Sequence, residues 1–341
     1  IFKNMIKNNQ FFIKNLKSIS FFGESAVFNE LIKINEKFNI KTEIITSPDQ
    51  SKNIKKNIKP KIFKSLDSKF KTYIRKKCKI ENTLFISMGS RFIFKKDMIK
   101  NFFQNNLVNF HGTRLPMDSG GAPYSWMIMR EDKIDAQLIH LITSKIDSGP
   151  IIDYELNLFS KSCKIPIEYI NSHNEFLLKF YEKFIYNLTK GKKFNLKNNP
   201  GYLGRYSPRI DSKINGFINW ELNPNDLFCF INAFDDPYYG ASTFLSNKKF
   251  GKLRIKKVHL HGGDSSNHPY MSGIITRHDK KWIVVSTIGK YMLLIEEILD
   301  KNNKNILSKL KVGDRFFTPQ KYLDKSLYTR VFYSTSGLKK N

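Results

Sequence analysis

The chain has 341 residues and carries a formal charge of +28. Its length suits two domains, and its 40% hydrophobic content supports a sizeable core. No apolar run approaches the roughly 18 residues that a membrane-spanning helix needs, which argues against a membrane protein. The N-terminus lacks a continuous apolar segment and a small-residue cleavage site, and this composition predicts a cytoplasmic protein.

The cysteines and the basic charge narrow the function classes further. Cys78, Cys163 and Cys229 stand far apart, so the sequence indicates neither a disulfide framework nor a zinc site. The lysines are spread along the whole chain, which favours a general compositional bias over a nucleic-acid-binding protein. A basic surface would still attract anionic small-molecule substrates.

The first half of the chain has the pattern of a doubly wound α/β sheet. Residues 1–17 are predicted to be an extension, with an amphipathic helix as one interpretation. Ser18–Gly23 is an apolar segment ending in glycine, residues 26–34 have helical spacing, and Thr42–Asp49 is a second apolar segment closed by a turn. Strand, turn, helix and strand in this order open such a sheet.

Further elements follow the same pattern as far as a polar segment at Gly191–Gly201, where we place the domain boundary. The lysine-rich residues 50–65 are predicted to be a solvated loop. Beyond Arg205, short strands with turns predict a small β-rich domain. The remaining predicted elements are strands at Thr83–Gly89, from Leu107, at Gln137–Thr143 and after Lys145–Asp153, and helices at Lys96–Phe103 and 165–189.

Asn109 and His111 stand at the end of the strand that begins at Leu107. Being two residues apart, they project on the same side of an extended backbone. A carboxamide and an imidazole held together can bind an oxyanion and move a proton. A strand-end histidine bonded to the backbone is the structural alternative.

Asp147 follows one helix and one strand of a βαβ-like segment, at the start of a D-S-G turn. That position can bring its carboxylate to the imidazole of His111, where it would fix the tautomer and support the protonated form. A turn-forming aspartate before Gly149 is the alternative.

These pieces together resemble the formyltransferases that use N10-formyltetrahydrofolate. The resemblance is carried by N-F-H followed by L-P, a glycine-rich turn and D-S-G-P-I-I, and by the earlier S-F-F-G and I-I-T-S-P-D. Tyr206–Trp220 and Asp236–Thr243 resemble the linker and the start of that family's C-terminal domain. The likeness therefore covers the chain from about Ser18 to beyond residue 295.

The resemblance implies an α/β fold in which a Rossmann-like N-terminal formyltransferase domain, residues 18–204, precedes a smaller β-rich, OB-like C-terminal domain, residues 205–341. It implies that an acceptor amine attacks the formyl carbon of the folate. Asn109 would then stabilise the oxyanion, His111 would take the proton and Asp147 would support the imidazolium. No metal is needed, because the cosubstrate already carries an activated formyl group.

The resemblance also implies a folate pocket between the loop after the third strand and the D-S-G turn. Residues 119–124 would form a mobile turn beside the active site, in which two glycines allow close backbone approach. Core packing of the F-I-F segment is the alternative. The predicted pocket residues are Met88, Gly89, Arg91, Phe92, Ile93, Phe94, Gly120 and Gly121.

The resemblance leaves three candidate acceptors for the formyl group. The turn M-D-S-G-G-A-P-Y-S-W, with Trp126, favours a nucleotide-linked amino sugar destined for a surface polysaccharide. Methionyl-tRNA is the alternative, and residues 50–65 could imitate the basic loop of the tRNA enzymes. Glycinamide ribonucleotide fits poorly with a second domain. A nucleic-acid-binding protein, a catalytically silent binding module and a homodimer remain open, and no membrane partner is expected.

Overall fold

The computed structural model describes residues 9–200, 203–247 and 249–340. Its first part is a seven-stranded sheet in the order β4-β3-β2-β5-β6-β8-β9, with helices on both faces. The elements of this part are β1 (Gln10–Phe11), β2 (Ser18–Gly23), α1 (Phe28–Lys37), β3 (Lys41–Thr46), β4 (Lys61–Ile62), α2 (Ser68–Lys77), β5 (Thr83–Met88), β6 (Leu107–His111), β7 (Asp118–Gly120), α3 (Pro123–Met129), β8 (Ile134–Leu141), β9 (Ile151–Leu158), α4 (Pro166–Thr189) and β10 (Phe194–Asn195).

The central strand β2 separates two apolar layers because successive side chains point to opposite faces. Phe21 packs against α1 and α4, where its ring meets Phe28 and Tyr181. Phe22 faces the other way, into an aromatic cluster with Phe70 of α2. A strand buried on both faces shows a continuous apolar run in the sequence, as β2 does.

The direction of β8 corrects one prediction. The five neighbouring strands β4, β3, β2, β5 and β6 are parallel. The next strand, β8, runs antiparallel to β6 and pairs His140 with Asn109. The segment between His111 and Asp147 is therefore not a parallel βαβ unit. The short α3 leads into a strand that returns alongside β6, and this return places a second histidine beside the predicted site.

Two further predictions differ from the structure. Residues 9–17 contain no helix: β1 pairs with β10, and Phe11, Ile13 and Leu16 are buried in the core shared with α4. Residues 1–8 lie outside the described part of the chain. The helix predicted at Lys96–Phe103 is reduced to a short helical segment that includes one wide turn, Met98–Phe102.

The second part is a curled six-stranded antiparallel sheet in the order β14-β15-β16-β13-β12-β17. Helix α6 packs on it, with Leu227 and Ile231 against Ile255 and Leu293. The elements are β11 (Arg205–Ser207), α5 (Ser212–Asn215), α6 (Pro224–Ala233), β12 (Ala241–Leu245), β13 (Leu253–Asn267), β14 (Ile275–His278), β15 (Ile283–Val285), β16 (Gly289–Leu299), β17 (Phe316–Phe317), α7 (Gln320–Tyr328), β18 (Val331–Ser334) and β19 (Gly337–Lys340).

The architecture confirms the predicted fold class, an α/β domain followed by a β-rich one. The strand β11 still pairs with β7 of the first part, and α5 begins the second, so the connection between the two lies around residues 205–211. None of the helices within the described residues is both long and apolar enough to cross a membrane.

Candidate active site

Asn109 and His111 lie at the end of β6 and are both partly exposed, whereas Phe110 between them is buried. The amide nitrogen Nδ2 of Asn109 is 3.2 Å from Nε2 of His140 on the neighbouring strand β8. The strand pairing therefore brings a carboxamide and two imidazoles to one place.

His140 determines how Asn109 is oriented. Its Nδ1 is 2.9 Å from the carbonyl oxygen of Leu141, which can only accept, so Nδ1 carries the proton. Burial and the nearby His111 lower the pKa of His140 to about 4, so the ring is neutral at pH 7. Its Nε2 lone pair then accepts one N–H of the Asn109 amide, and the second N–H remains available to a ligand.

Thr113 is the direct hydrogen-bond partner of His111. The Thr113 hydroxyl is 2.6 Å from Nε2 of His111 and 2.5 Å from the carbonyl oxygen of Asp118. Because the hydroxyl proton goes to the carbonyl, the hydroxyl oxygen must accept from Nε2–H. In the neutral form of the ring, Nδ1 of His111 then holds the lone pair, and this nitrogen faces Asp147.

Asp147 is close to the two imidazoles but bonds directly to neither. Its Oδ1 is 3.8 Å from Nδ1 of His111 and 3.8 Å from Nε2 of His140, beyond hydrogen-bond length. Thr113, rather than Asp147, fixes the tautomer of His111. The carboxylate is placed to act as a counter-ion once Nδ1 of His111 is protonated.

The same three side chains have the spacing of a potential metal site, since their ligand atoms all lie within 4.8 Å of one another. The single lone pair of His140 is already directed at Asn109. A cation bound by all three residues would have to break that hydrogen bond.

The predicted folate loop after β5 is organised by Gln50, which the sequence did not single out. The buried Gln50 side chain donates to the Gly89 carbonyl at 2.8 Å and accepts from the Arg91 backbone N–H at 3.2 Å. Gly89 has a φ of +62°, which favours glycine. Met88 is buried in the core, and Arg91 lies near Glu24.

The three apolar residues after Arg91 do not share one environment. Phe92 and Phe94 are buried in the aromatic cluster around Phe22. Ile93 is 77% exposed. The core-packing alternative therefore describes Phe92 and Phe94, and among these three only the Ile93 side chain is available to a ligand.

Gly120 and Gly121 are approached by the linker. A Cβ at Gly120 would lie 2.0 Å from the Ser207 carbonyl oxygen, and one at Gly121 would lie 3.1 Å from Nε of Arg209. Gly120 belongs to β7, which pairs with β11, so this part of the predicted mobile turn is held in a small sheet. Close backbone approach was predicted here, but the approaching groups belong to the chain itself.

Asp118 also holds the connection between the two parts of the chain in place. Its carboxylate accepts hydrogen bonds from Arg114 at 2.9 Å, from Arg130 at 3.3 Å and from Arg205 at 3.0 Å. Because the backbone carbonyl of Asp118 also accepts from Thr113, this cluster connects the linker to the hydrogen bonds of His111.

A buried pair of side chains, His173 and Asp135, lies beside the turn that follows His111. His173 of α4 donates through Nδ1 to the fully buried Asp135 at 2.9 Å. A Cβ at Gly112 would lie 2.7 Å from Cε1 of His173, too close for any other residue without movement. The glycine after His111 is therefore required by the packing of this imidazole.

Comparisons with known proteins point to formyltransferases. A family model described as "Formyl transferase, C-terminal domain" matches residues 211–310. The methionyl-tRNA formyltransferase of Mycoplasma mycoides is 29% identical over 61% of this chain. These matches relate the chain to formyltransferases. The aligned region spans 66% of that relative, and it spans 26% of the bifunctional polymyxin resistance protein ArnA of Wigglesworthia glossinidia brevipalpis, which is 26% identical over 50% of the chain.

Solved structures share the fold of this chain. WlaRD, a sugar 3N-formyltransferase solved with dTDP and 5-N-formyl-tetrahydrofolate, aligns with a TM-score of 0.58 and 16% identity over 83% of this chain and 98% of its own. The N-formyltransferase of Helicobacter canadensis, in complex with folinic acid and dTDP-3-aminofucose, aligns with a TM-score of 0.57 and 15% identity over 82% and 99%.

Proposed function

We propose that this chain transfers a formyl group from N10-formyltetrahydrofolate to the amino group of a nucleotide-linked amino sugar. The orientation of Asn109 carries the proposal. Its amide is turned by His140 so that one N–H is bonded and the other is open, beside His111, whose Nε2 is bonded to Thr113 and whose Nδ1 is left for a ligand. An oriented donor next to a base suits acyl transfer to an amine.

The cosubstrate, when bound, supplies a formyl carbon that an amine can attack. The open N–H of Asn109 donates to the carbonyl oxygen as that oxygen gains negative charge. The His111 Nδ1 atom takes the proton that the attacking amine loses, and Asp147, at 3.8 Å, stabilises the resulting imidazolium. His111 then holds the proton that the departing folate nitrogen needs, so the proton balance closes without a metal.

The fit of the folate is supported by the loop after β5. Gln50 holds the backbone at Gly89 and Arg91 in a fixed position. The guanidinium of Arg91 is in turn held by ion pairs with Glu24 and Asp49. A loop that is fixed in this way is suited to present its backbone groups to a ligand.

A sugar acceptor is supported by two structural neighbours, which were solved with dTDP and with dTDP-3-aminofucose. Methionyl-tRNA is the second candidate, because the curated relatives include several methionyl-tRNA formyltransferases and the chain is strongly basic. Both acceptors present a primary amine, so the same catalytic groups serve either reaction.

An acceptor panel tests the proposal. The purified chain is incubated with N10-formyltetrahydrofolate and either nucleotide-linked amino sugars or initiator methionyl-tRNA, and products are followed by mass spectrometry. We expect an amino sugar to gain one formyl group, and Asn109→Ala to abolish most of that gain. Formylation of methionyl-tRNA alone would refute the sugar acceptor, and formylation of no amine would refute formyl transfer.

A further inference from the structure

The turn that carries Asp147 receives little support from packing. Residues 144–146 at its tip are exposed, and Asp147 itself has a φ of +49°. This left-handed conformation costs energy for a residue other than glycine, so it persists only where surrounding contacts hold it. Within the turn, the hydroxyl oxygens of Thr143 and Ser148 each lie 3.0 Å from the Lys145 carbonyl oxygen. The position of Asp147 beyond these bonds depends on a contact from outside the turn.

Asn199 supplies such a contact. Its Nδ2 atom is 2.7 Å from the carbonyl oxygen of Asp147 and 3.2 Å from that of Gly149. Both carbonyls can only accept, so the amide nitrogen donates one hydrogen to each. The Oδ1 atom of Asn199 is buried without a hydrogen-bond partner in the part of the chain that the structure describes. The amide is therefore engaged through its nitrogen, which holds the turn on both sides of Ser148.

The backbone next to Asn199 is itself fixed. Lys197 pairs with Ile151 at the start of β9, and the two residues exchange backbone hydrogen bonds of 2.9 and 2.8 Å. Pro200 restricts the backbone of the residue before it to extended conformations. The polar segment in which the sequence places the domain boundary thus runs beside the start of β9, and this course places Asn199 against the turn.

Gly149 fixes the far end of the turn beside His140. A Cβ on Gly149 would lie 1.6 Å from the Leu141 carbonyl oxygen, so only glycine fits this close approach. The same carbonyl accepts the hydrogen bond from Nδ1 of His140. Because Asn199 bonds to the carbonyls of both Asp147 and Gly149, it joins the residue with the left-handed backbone to a point that β8 already fixes.

We propose that Asn199 is a positioning residue for the reaction. By bridging the carbonyls of Asp147 and Gly149, it holds the Asp147 carboxylate 3.8 Å from Nδ1 of His111, where the carboxylate can stabilise the imidazolium. Asn199 bonds to the backbone of the turn, so its effect on the reaction passes through Asp147. This inference rests on the proposed formyl transfer, but the position of the carboxylate can be measured without turnover.

Steady-state formylation by the full chain tests the effect on the reaction. We expect Asn199→Ala to lower kcat about ten- to a hundredfold, because misplacing a catalytic group by about 1 Å can cost about 10² in rate. The KM for the acceptor amine should stay within about twofold of the wild type, since the loss is one of transition-state stabilisation. The matched control, Asn198→Ala, removes the same side chain from the exposed neighbouring position and should keep the wild-type kcat. A wild-type kcat for Asn199→Ala would overturn the inference.

Two further variants separate positioning from packing, with folding verified by urea unfolding. Asn199→Asp keeps the size of the side chain but turns an oxygen towards the two carbonyl oxygens, so it should lose at least as much kcat as Asn199→Ala. A wild-type kcat for Asn199→Asp would show that the side chain only fills space. In the Asp147→Asn background, which lacks the carboxylate, adding Asn199→Ala should not lower kcat further. Losses that multiplied in this double variant would show that Asn199 does not act through Asp147.

Crystal structures of the wild type and of Asn199→Ala test the positioning directly. We expect the Asp147 carboxylate of the variant to lie about 1 Å or more farther from His111 than in the wild type. An unchanged carboxylate position would overturn the inference while leaving the proposed function standing. If the wild type formylates no amine, the proposed function fails, whereas the same two structures still decide whether Asn199 holds the turn.

Discussion

Replacing His140 with phenylalanine separates the orientation of Asn109 from its presence. Phenylalanine keeps the ring in a site that is 2% exposed but removes both hydrogen bonds of the imidazole. The Leu141 carbonyl and one Asn109 N–H lose their partner, which costs roughly 1–3 kcal/mol of stability for each buried group left unsatisfied. The amide is then free to rotate its nitrogen away from the oxyanion.

The effect on the rate follows from the value of the donor. One oxyanion donor is typically worth about 10² to 10³ in kcat, and a donor that is present but poorly oriented retains part of this. We therefore expect His140→Phe to lower kcat about tenfold or more, with a smaller loss than Asn109→Ala. His140→Gln places a carbonyl oxygen where Nε2 stood, so the Asn109 hydrogen bond and most of the activity should be retained.

A double-mutant cycle gives the decisive comparison. If His140 acts through Asn109, the double variant His140→Phe, Asn109→Ala should be no slower than Asn109→Ala alone. Steady-state formylation rates, with folding verified by circular dichroism and by the midpoint of urea unfolding, provide the readout. If the fold losses in kcat from the two substitutions multiplied in the double variant, His140 would not act through Asn109. A wild-type kcat for His140→Phe would lead to the same conclusion.

Three further outcomes follow from the site. Gly112→Ala should lose about 1–3 kcal/mol in urea unfolding because its Cβ would lie 2.7 Å from His173, and His173→Ala should restore part of that loss; an unchanged midpoint would show that the turn is not constrained there. Chelation with EDTA should leave the rate unchanged, because the lone pair of His140 is directed at Asn109; recovery of a lost rate by added divalent cation would contradict this. Burial lowers the pKa of His140 from 6.5 to about 4, so the unfolded chain binds the proton more readily than the folded one. The contribution of His140 to the free energy of unfolding should be fully present above pH 6.5 and fall by roughly 3 kcal/mol towards pH 4. His140→Gln should remove this fall, and an equal dependence on pH in both proteins would contradict the lowered pKa of His140.

The sequence predicted the central strands and α4 well because their burial is continuous or strictly periodic. β2 was placed at Ser18–Gly23 as the structure has it, and α4 differs by one residue at its start. The direction of β8 was not predictable in this way. A strand buried on both faces shows no alternation, so its pattern is the same whether it runs parallel or antiparallel.

The site was predicted only as far as local pattern allows. Asn109, His111 and Asp147 do come together, as the resemblance implied. Thr113 and His140 were missed as partners, since a hydrogen bond to a neighbouring strand leaves no local signal. The signal that could have found His140 is an ionisable residue within the otherwise apolar residues 138–142, because such a group is buried only with a partner.

The contact made by the C-terminal hairpin is the one that the sequence predicts least well. Tyr333 reaches Arg91 from far along the chain, and nothing in the sequence around either residue announces the contact. The folate loop itself was indicated by resemblance, with core packing as the alternative, and that alternative describes Phe92 and Phe94. An apolar residue in a loop cannot be assigned to core or ligand until the opposite wall is known.

We propose that Asn109, oriented by His140, is the oxyanion donor for formyl transfer to an amino sugar. The most direct measurement is single-turnover transfer from N10-formyltetrahydrofolate to a dTDP-linked amino sugar by the wild type and by Asn109→Ala, with binding of both substrates verified. We expect the transfer rate to fall by about 10² to 10³ while folate affinity is unchanged. A rate within about threefold of the wild type, well below the loss expected for an oxyanion donor, would contradict the claim.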